Sequence, residues 1–402
     1  MDFELWWLLV IIPVVFALGW GASRLDLRQW KREQMDAPRA YFKGLHFLLN
    51  EQQDKAIDAF IEAVQYDADT ADLHFALGNL FRKRGEYERA VRVHQHLLAR
   101  ADLPASERDR AQYALAQDYL KAGLMDHAEK ALLVLKDVPA YKIDVNDSLL
   151  TLYERAHDWS LAISTVEVME EQGVDNLADR KAHYHCELAS EAQRRGDGDK
   201  ILPELKTAHQ VSPEAARPLL ELTHYYLQHD NIQEALQTCS ELLRVAPRFV
   251  VLAVPALVQF LKKFDETHLS ETDKQTSSEW RKTILNILES AYQQEASLDL
   301  LMSFLKLGDD SKKSHDRIMN YLESHMSIIA SAALLEMSKA QDKEGELLEE
   351  IELVHQTLEK VAKNIDRYRC SICGFEAVRY FWQCPGCQSW DSYPPKRVEE
   401  LY

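Results

Sequence analysis

The stretch HFALGNLFRKRGEYERAVRVHQHL, residues 74–97, decides the fold of this chain. Within it Gly78 precedes Ala90 by twelve residues, and the same two residue types stand thirty-four residues earlier at Gly44 and Ala56. Small residues at these positions let two antiparallel helices approach closely, while larger apolar residues fill the layers on either side. The stretch therefore predicts a pair of helices that repeats along the chain.

The small residue of the second helix recurs with a nearly constant spacing. A period of thirty-four residues is typical of the tetratricopeptide repeat, whose unit is a helical pair. Insertions near residues 103–109 and 172–179 account for two longer intervals. The pattern predicts six tetratricopeptide repeats over residues 40–248, and their small position is occupied by Ala56, Ala90, Ala128, Ala162, Ile201 and Ala235.

The apolar pattern continues beyond these repeats, although the small residues fade. We interpret residues 249–343 as degenerate helical repeats, with a loop or a solvated helix end at residues 265–278. Apolar residues then alternate at spacings of four and three within residues 344–368, which places a narrow apolar seam on one amphipathic helix. This helix either caps the solenoid and docks the module that follows, or forms a coiled-coil dimer.

The N-terminal end predicts a single transmembrane helix. Residues 5–22 carry no charge and are long enough to cross most of a bilayer core. We assign residues 1–23 as a retained anchor; a cleaved signal peptide is the alternative, but acidic residues precede the apolar run where that signal needs basic ones. The basic linker at residues 24–39 then places the N-terminus in the periplasm and the bulk of the chain in the cytoplasm.

Composition narrows the classes of function. The 402 residues include 47 basic and 65 acidic side chains, for a net charge of -18. Nucleic acid is disfavoured as a partner because a phosphate-binding surface needs a basic stripe, and the one basic concentration here lies beside the anchor, near lipid headgroups.

Candidate catalytic side chains do not form a convincing set. Cys186 lies near His183 and His185 in the sequence, but this cysteine and Cys239 are interpreted as buried packing residues. The acidic pair Glu399-Glu400 is interpreted as a solvated surface. Because no nucleophile, base and orienting group occur together, we predict that the protein is not an enzyme.

Two Cys-X-X-Cys pairs near the C-terminal end predict a metal site. Cys370 and Cys373 form the first pair, and Cys384 and Cys387 form the second. Each pair can wrap a tight turn around an ion, and four thiolates complete a tetrahedral shell suited to one zinc or one iron ion. Disulfides are the alternative, but the predicted cytoplasmic location favours metal because thiols stay reduced there. A shell closed by four protein ligands suits a structural or electron-transfer role.

The order of anchor, repeats and cysteine pairs resembles the lipopolysaccharide assembly protein B family of Gram-negative bacteria. The resemblance covers essentially the whole chain, including the tail from Cys370-Ser-Ile-Cys-Gly-Phe through Trp-Gln-Cys-Pro-Gly-Cys387 to Trp390-Asp391. It implies a rubredoxin-like domain at residues 369–395 that binds the metal through the same four cysteines. Gln388 stands where rubredoxins commonly have glycine, and the spacer is shorter, which favours a structural metal over a redox-active iron and leaves zinc or iron open.

The resemblance also implies a function. Members of this family work with the membrane protease FtsH to promote degradation of the UDP-3-O-acyl-N-acetylglucosamine deacetylase, which commits carbon to lipid A. The expected protein is an inner-membrane adaptor that regulates lipopolysaccharide biosynthesis, with FtsH, the deacetylase, other lipopolysaccharide assembly proteins and a membrane regulator as partners. Two alternatives remain open: a scaffold for lipopolysaccharide synthesis and transport proteins without a proteolytic role, and a rubredoxin-like electron-transfer protein.

Overall fold

Helices dominate the structure of this chain. The computed structural model describes residues 13–20, 42–44, 46–47, 50, 52–66, 71–267, 270–308, 311–341 and 348–401. The chain divides into two compact units, Met1–Gly173 and Val174–Tyr402. Consecutive helices within each unit pair in the manner of tetratricopeptide repeats, and the second unit ends in a small four-cysteine ribbon.

The first unit consists of helices joined by short turns. Gly123 shows how such a turn forms, because its φ of 76° is in the left-handed region that glycine adopts without a Cβ clash. The next helix begins only two residues later. Seven helices follow one another between residues 53 and 171: Gln53–Tyr66, Ala71–Lys83, Tyr87–Leu98, Ala105–Ala122, Met125–Leu133, Lys142–Ala156 and Trp159–Glu171.

The small residues of the repeat lie where paired helices touch. A Cβ atom added to Gly78 would lie 2.5 Å from the imidazole of His94, and one added to Gly44 would lie 2.7 Å from the ring of Phe60. Neither position has room for a larger residue, so the packing predicted from the sequence is confirmed. The alanines of the second helices are fully buried at Ala56, Ala90, Ala128, Ala162 and Ala235.

A buried polar network joins the second and third helical pairs. His94 and Asp118 are both fully buried, and His94 Nδ1 lies 2.5 Å from Asp118 Oδ2. Arg82 donates to the other carboxylate oxygen of Asp118 at 2.8 Å. A buried carboxylate needs such partners to offset its desolvation. The role of His94 is therefore structural.

The second unit continues the helical pairing with longer and less regular elements. Cys239 is fully buried at a packing position, and Ile201 is partly buried. The helices of this unit are Ala178–Arg195, Gly198–Val211, Ala216–Gln228, Ile232–Val245, Val254–Thr267, Glu271–Gln294, Leu298–Lys306, Ser311–Ser324, Ile328–Gln341 and Leu348–Ile365, with a 3-10 helix at Pro247–Ala253.

Two features that the sequence predicts for this unit can be compared with the observed helices. A helix ends at Thr267 and the next begins at Glu271, within the stretch expected to hold a loop or a helix end. Ser270 caps the second of these helices by accepting the N–H of Asp273. The amphipathic helix Leu348–Ile365 packs against Ile328–Gln341 of the same chain, while Val354 and Val361 of its apolar seam are exposed.

The predicted anchor and its basic linker fall largely outside the described residues. Residues 13–20 of the anchor are helical. Within the part of the chain that the structure describes, no helix combines the length and the apolar character needed to cross a membrane.

The C-terminal ribbon, residues 366–401, contains two short strands. Tyr368–Arg369 pairs antiparallel with Glu376–Ala377, with Tyr368 opposite Ala377. An isolated bridge joins Gln383 to Trp390, and a 3-10 helix, Val398–Leu401, follows. Two short hairpin-like turns thus carry the two cysteine pairs.

Candidate metal centre

The structure brings all four predicted ligands together. Their Sγ atoms lie within 4.8 Å of one another, with 3.8 Å between Cys370 and Cys387 and 3.5 Å between Cys373 and Cys384. A tetrahedral site with metal–sulfur bonds of about 2.3 Å has sulfur–sulfur separations of about 3.8 Å. The four thiols therefore fit a single tetrahedrally bound ion. No other group of this kind occurs among the described residues.

The two cysteine pairs adopt the same backbone turn. The N–H of Gly374 donates to the carbonyl of Cys370 at 3.0 Å, and the N–H of Gln388 donates to the carbonyl of Cys384 at 2.8 Å. Both donors have positive φ, 76° for the glycine and 61° for the glutamine. A side chain in this region costs about 1 kcal/mol. The glutamine noted in the sequence therefore leaves the turn intact at a conformational cost.

The thiols of the first pair differ in acidity before metal binds. Burial raises the pKa of Cys370, but the Ser392 hydroxyl and nearby backbone N–H groups outweigh it and lower this pKa to about 6. The N–H of Phe375 lowers the pKa of Cys373, but desolvation and the three other thiols raise it to about 12. A metal cation would displace the protons that remain on the thiols.

Hydroxyl groups surround the thiols of the second pair. The hydroxyl of Ser389 lies 3.4 Å from Cys387 Sγ and lowers the pKa of that cysteine. Tyr393 is buried, its hydroxyl lies 3.9 Å from Cys384 Sγ, and it donates to the carbonyl of Phe375 at 3.1 Å. Burial raises the pKa of this tyrosine, so it remains a donor. The Ser389 hydroxyl can therefore orient the Cys387 thiolate and stabilise its charge, whereas Tyr393 gives its proton to the Phe375 carbonyl.

Aromatic residues beside the second cysteine pair attach the ribbon to the helices of its own unit. Trp382 stacks on Phe249 with 5.3 Å between ring centroids, and Trp390 stacks on His183 at 4.6 Å. His183 Nε2 also lies 2.7 Å from the carboxylate of Asp391. The histidine that the sequence placed near Cys186 is therefore a docking residue.

Charged groups form a second line of attachment. Asp299 accepts hydrogen bonds from the hydroxyl of Tyr368 at 3.1 Å and from Arg397 Nε at 2.8 Å. Lys396 pairs with Glu295 at 2.8 Å. Because Tyr368 and Arg397 come from opposite ends of the ribbon, one helical carboxylate holds both ends.

The acidic pair Glu399-Glu400 accepts hydrogen bonds at the starts of two helices. Glu399 accepts the Ser327 hydroxyl at 2.7 Å and the N–H of Ile328 at 3.2 Å. Glu400 accepts the N–H of Leu298 at 2.7 Å. The prediction that these glutamates are solvated was wrong, because free N–H groups at helix starts attract carboxylates.

The remaining candidate residues are packing or surface residues of the helices. Cys186 and Cys239 are fully buried, and burial raises the pKa of Cys186 well above its ordinary value and that of Cys239 to about 12. Such thiols are poor nucleophiles, in agreement with the packing role predicted for them. His185 lies 2.8 Å from Glu204 of the neighbouring helix.

These features define a class: a tetratricopeptide-like helical-repeat protein that carries a tetrathiolate ribbon. A family model described as a rubredoxin metal binding domain matches residues 368–394. Among solved structures, a tetratricopeptide repeat protein from Parabacteroides merdae aligns with 62% of this chain and 99% of its own length, at 12% identity and a TM-score of 0.34.

Alignments with relatives cover both the helical repeats and the ribbon. Lipopolysaccharide assembly protein B from Escherichia coli strain K12 is 28% identical over 391 residues, which are 97% of this chain and 98% of that protein. The protein of the same name from Haemophilus influenzae is 24% identical over 408 residues, with 98% of each chain covered. The chain thus resembles lipopolysaccharide assembly protein B along nearly its whole length, and the predicted resemblance is confirmed.

Proposed function

We propose that this protein takes part in lipopolysaccharide assembly as a membrane-anchored regulatory adaptor, and that it has no catalytic activity of its own. The observation that carries the proposal is the similarity to lipopolysaccharide assembly protein B over 97% of the chain. A stacked-helix solenoid supports this role because it presents an extended surface to protein partners.

The proposed partners are the FtsH protease and the lipid A pathway deacetylase, and the proposed outcome is degradation of the deacetylase. Other lipopolysaccharide assembly proteins and a membrane regulator are further proposed partners. An inner-membrane anchor at residues 1–23 would place the repeats in the cytoplasm beside a membrane protease. Tethering raises the effective concentration of two partners, so modest contacts suffice.

The proposed role of the metal, zinc or iron, is structural. Trp382 and Trp390 flank the second cysteine pair and reach the helices at Phe249 and His183. A metal that holds both turns therefore also holds these docking residues in place. By this reasoning the ribbon, docked on the helices of its own unit, forms a second recognition surface in addition to that of the repeats.

The half-life of the deacetylase after a block of translation tests the adaptor. We expect a longer half-life in cells depleted of this protein, and a return to the short half-life when the wild-type chain is supplied. An unchanged half-life would instead favour the scaffold without a proteolytic role, which shares every sequence feature and differs only in the fate of the client.

Electron transfer is the second candidate, and the exposure of Cys373 favours it. A solvent-facing thiolate ligand gives an electron a short path to a partner, whereas Cys370 and Cys384 are buried. Visible absorbance and metal analysis of aerobically purified protein separate the two functions, because ferric tetrathiolate is red and zinc is colourless. A zinc-bound, colourless protein with full activity in cells excludes the redox function.

A further inference from the structure

The geometry points to Cys373 as a site of oxidation by hydroperoxides, with Cys384 as the second thiol of a disulfide whose formation releases the bound metal. This inference rests on the proposed structural role of the metal, because it describes how a small oxidant would end that role.

The four thiols differ in their access to solvent. Cys373 is exposed and Cys387 is half-buried. Cys370 and Cys384 are buried, with exposed fractions of 2% and 1%. With the ion bound, all four cysteines are thiolates, so access rather than protonation decides which sulfur a small oxidant reaches first. That sulfur is Sγ of Cys373.

Cys384 is placed to react with an oxidised Cys373. Their Sγ atoms lie 3.5 Å apart, on different turns. In the first step the Cys373 thiolate attacks one oxygen of hydrogen peroxide, the O–O bond breaks and hydroxide leaves, which gives a sulfenic acid. In the second step the Cys384 thiolate attacks that sulfur, an S–S bond forms and a second hydroxide leaves. Each sulfur thereby loses one electron, and the peroxide gains two.

The disulfide removes two of the four metal ligands. Cys370 and Cys387 remain, with 3.8 Å between their Sγ atoms, and two thiolates leave half of the tetrahedral shell open. The metal should therefore dissociate. An S–S bond of about 2 Å also draws the two turns together. Because Trp382 is only two residues from Cys384, this movement reaches the contact of Trp382 with Phe249.

Gly386 offers a substitution that changes access to Cys373 and keeps all four ligands. A Cβ atom added to this glycine would lie 3.4 Å from Cys373 Sγ, which is a close contact without overlap. Gly386→Ala therefore covers part of the exposed sulfur and should slow its oxidation about threefold. Gly198→Ala is the matched control, because a Cβ atom added there would have nothing within 4 Å. It should leave the rate unchanged.

The experiment treats the full-length, metal-loaded protein in detergent with hydrogen peroxide. A chromogenic chelator follows metal release, and mass spectrometry of proteolytic peptides identifies the disulfide. We expect a Cys373–Cys384 disulfide that forms at the rate of metal release, and both rates should fall about threefold in Gly386→Ala. Reduction with dithiothreitol and addition of metal should restore the starting state.

Three outcomes would overturn the inference: metal retained in peroxide, a disulfide between any other two cysteines, or equal rates in Gly386→Ala and the wild-type chain. If Gly386→Ala does not hold metal, the identity of the disulfide in the wild-type chain decides alone.

Further outcomes separate this inference from the proposed function. A chain that shortens the deacetylase half-life but keeps its metal in peroxide overturns the oxidation site alone. Conversely, a chain that forms the Cys373–Cys384 disulfide but leaves the half-life unchanged overturns the adaptor and keeps the oxidation site.

Discussion

The two cysteine turns of the ribbon have the same backbone conformation but differ in their surroundings. Beside the first turn, Ile372 and Phe375 are exposed, at 65% and 44%. Beside the second, Trp382 and Trp390 lie against Phe249 and His183. The difference shows that the turn itself serves the metal, while the residues next to it decide whether that side faces solvent or the helices. Docking can therefore be removed without removal of the metal, whereas loss of the metal should affect both, and substitutions can test each expectation.

Loss of a metal ligand should have the largest effect because it removes metal binding and docking together. Cys384→Ser removes one of four thiolates, and we expect loss of bound metal, unfolding of the ribbon and loss of the proposed adaptor function. Metal analysis of the purified protein and complementation of depleted cells measure these effects. Cys239→Ala, in the helical core, should keep the metal. Full complementation by Cys384→Ser with no metal bound would contradict a structural role for the ion.

Removal of a docking side chain should release the second turn without loss of the metal. Trp382→Ala should lower the free energy of unfolding by about 3 kcal/mol, because it empties the contact with Phe249. Denaturant unfolding measures the change, and metal analysis shows whether the ion stays. Ile372→Ala at the exposed turn is the control, with a change within about 0.5 kcal/mol. If Trp382→Ala also loses metal, docking and metal binding are one cooperative unit.

Removal of a helix cap should have a smaller and more local effect. Glu400→Ala leaves the N–H of Leu298 without its acceptor and should cost about 1 kcal/mol. Hydrogen exchange of the first amides of Leu298–Lys306 should become faster, while exchange at the cysteine turns stays the same. Glu323→Ala, which caps no helix, serves as the control. Equal protection in Glu400→Ala would show that this contact contributes nothing.

Effects no larger than this should come from the left-handed residues that make the two turns equivalent. Gly374→Ala adds a side chain at φ 76° and should destabilise the ribbon by about 1 kcal/mol. Gln388→Gly relieves the same strain and should stabilise it by about 0.5 kcal/mol, since glycine also gains freedom in the unfolded chain. Denaturant midpoints of the metal-loaded protein report both changes. A shift of the same sign in both variants would refute the equivalence of the turns.

The repeats and the metal ligands could be predicted from the sequence because their signals are local. Ala56 and Ala90 recur with a period set by the size of one helical pair, and helices touch only where such small residues stand. The cysteine spacing likewise reflects a turn of fixed length around an ion. The structure therefore buries the alanines and gathers the four thiols, as predicted.

The docking contacts could not be predicted, because they join residues far apart in the sequence. Nothing near Glu399 and Glu400 distinguishes them from solvated acids, and their acceptor role exists only once the starts of two distant helices lie beside them. His183 carried a weak signal, since it lies close to Tyr184 and Cys186, which are also buried, in the helix Ala178–Arg195. Its actual partners, Trp390 and Asp391, follow from tertiary packing alone.

The hydrogen bond between His183 and Asp391 spans 208 positions of the chain and so bears on the order of folding. Helical pairs form from neighbouring segments and fold quickly, whereas contacts of such long sequence separation close late. The ribbon should therefore dock after the helices of its unit are in place. Until then Phe249 and Trp382 remain uncovered, and a nascent or partly folded chain presents a sticky apolar surface to molecular chaperones and to other chains.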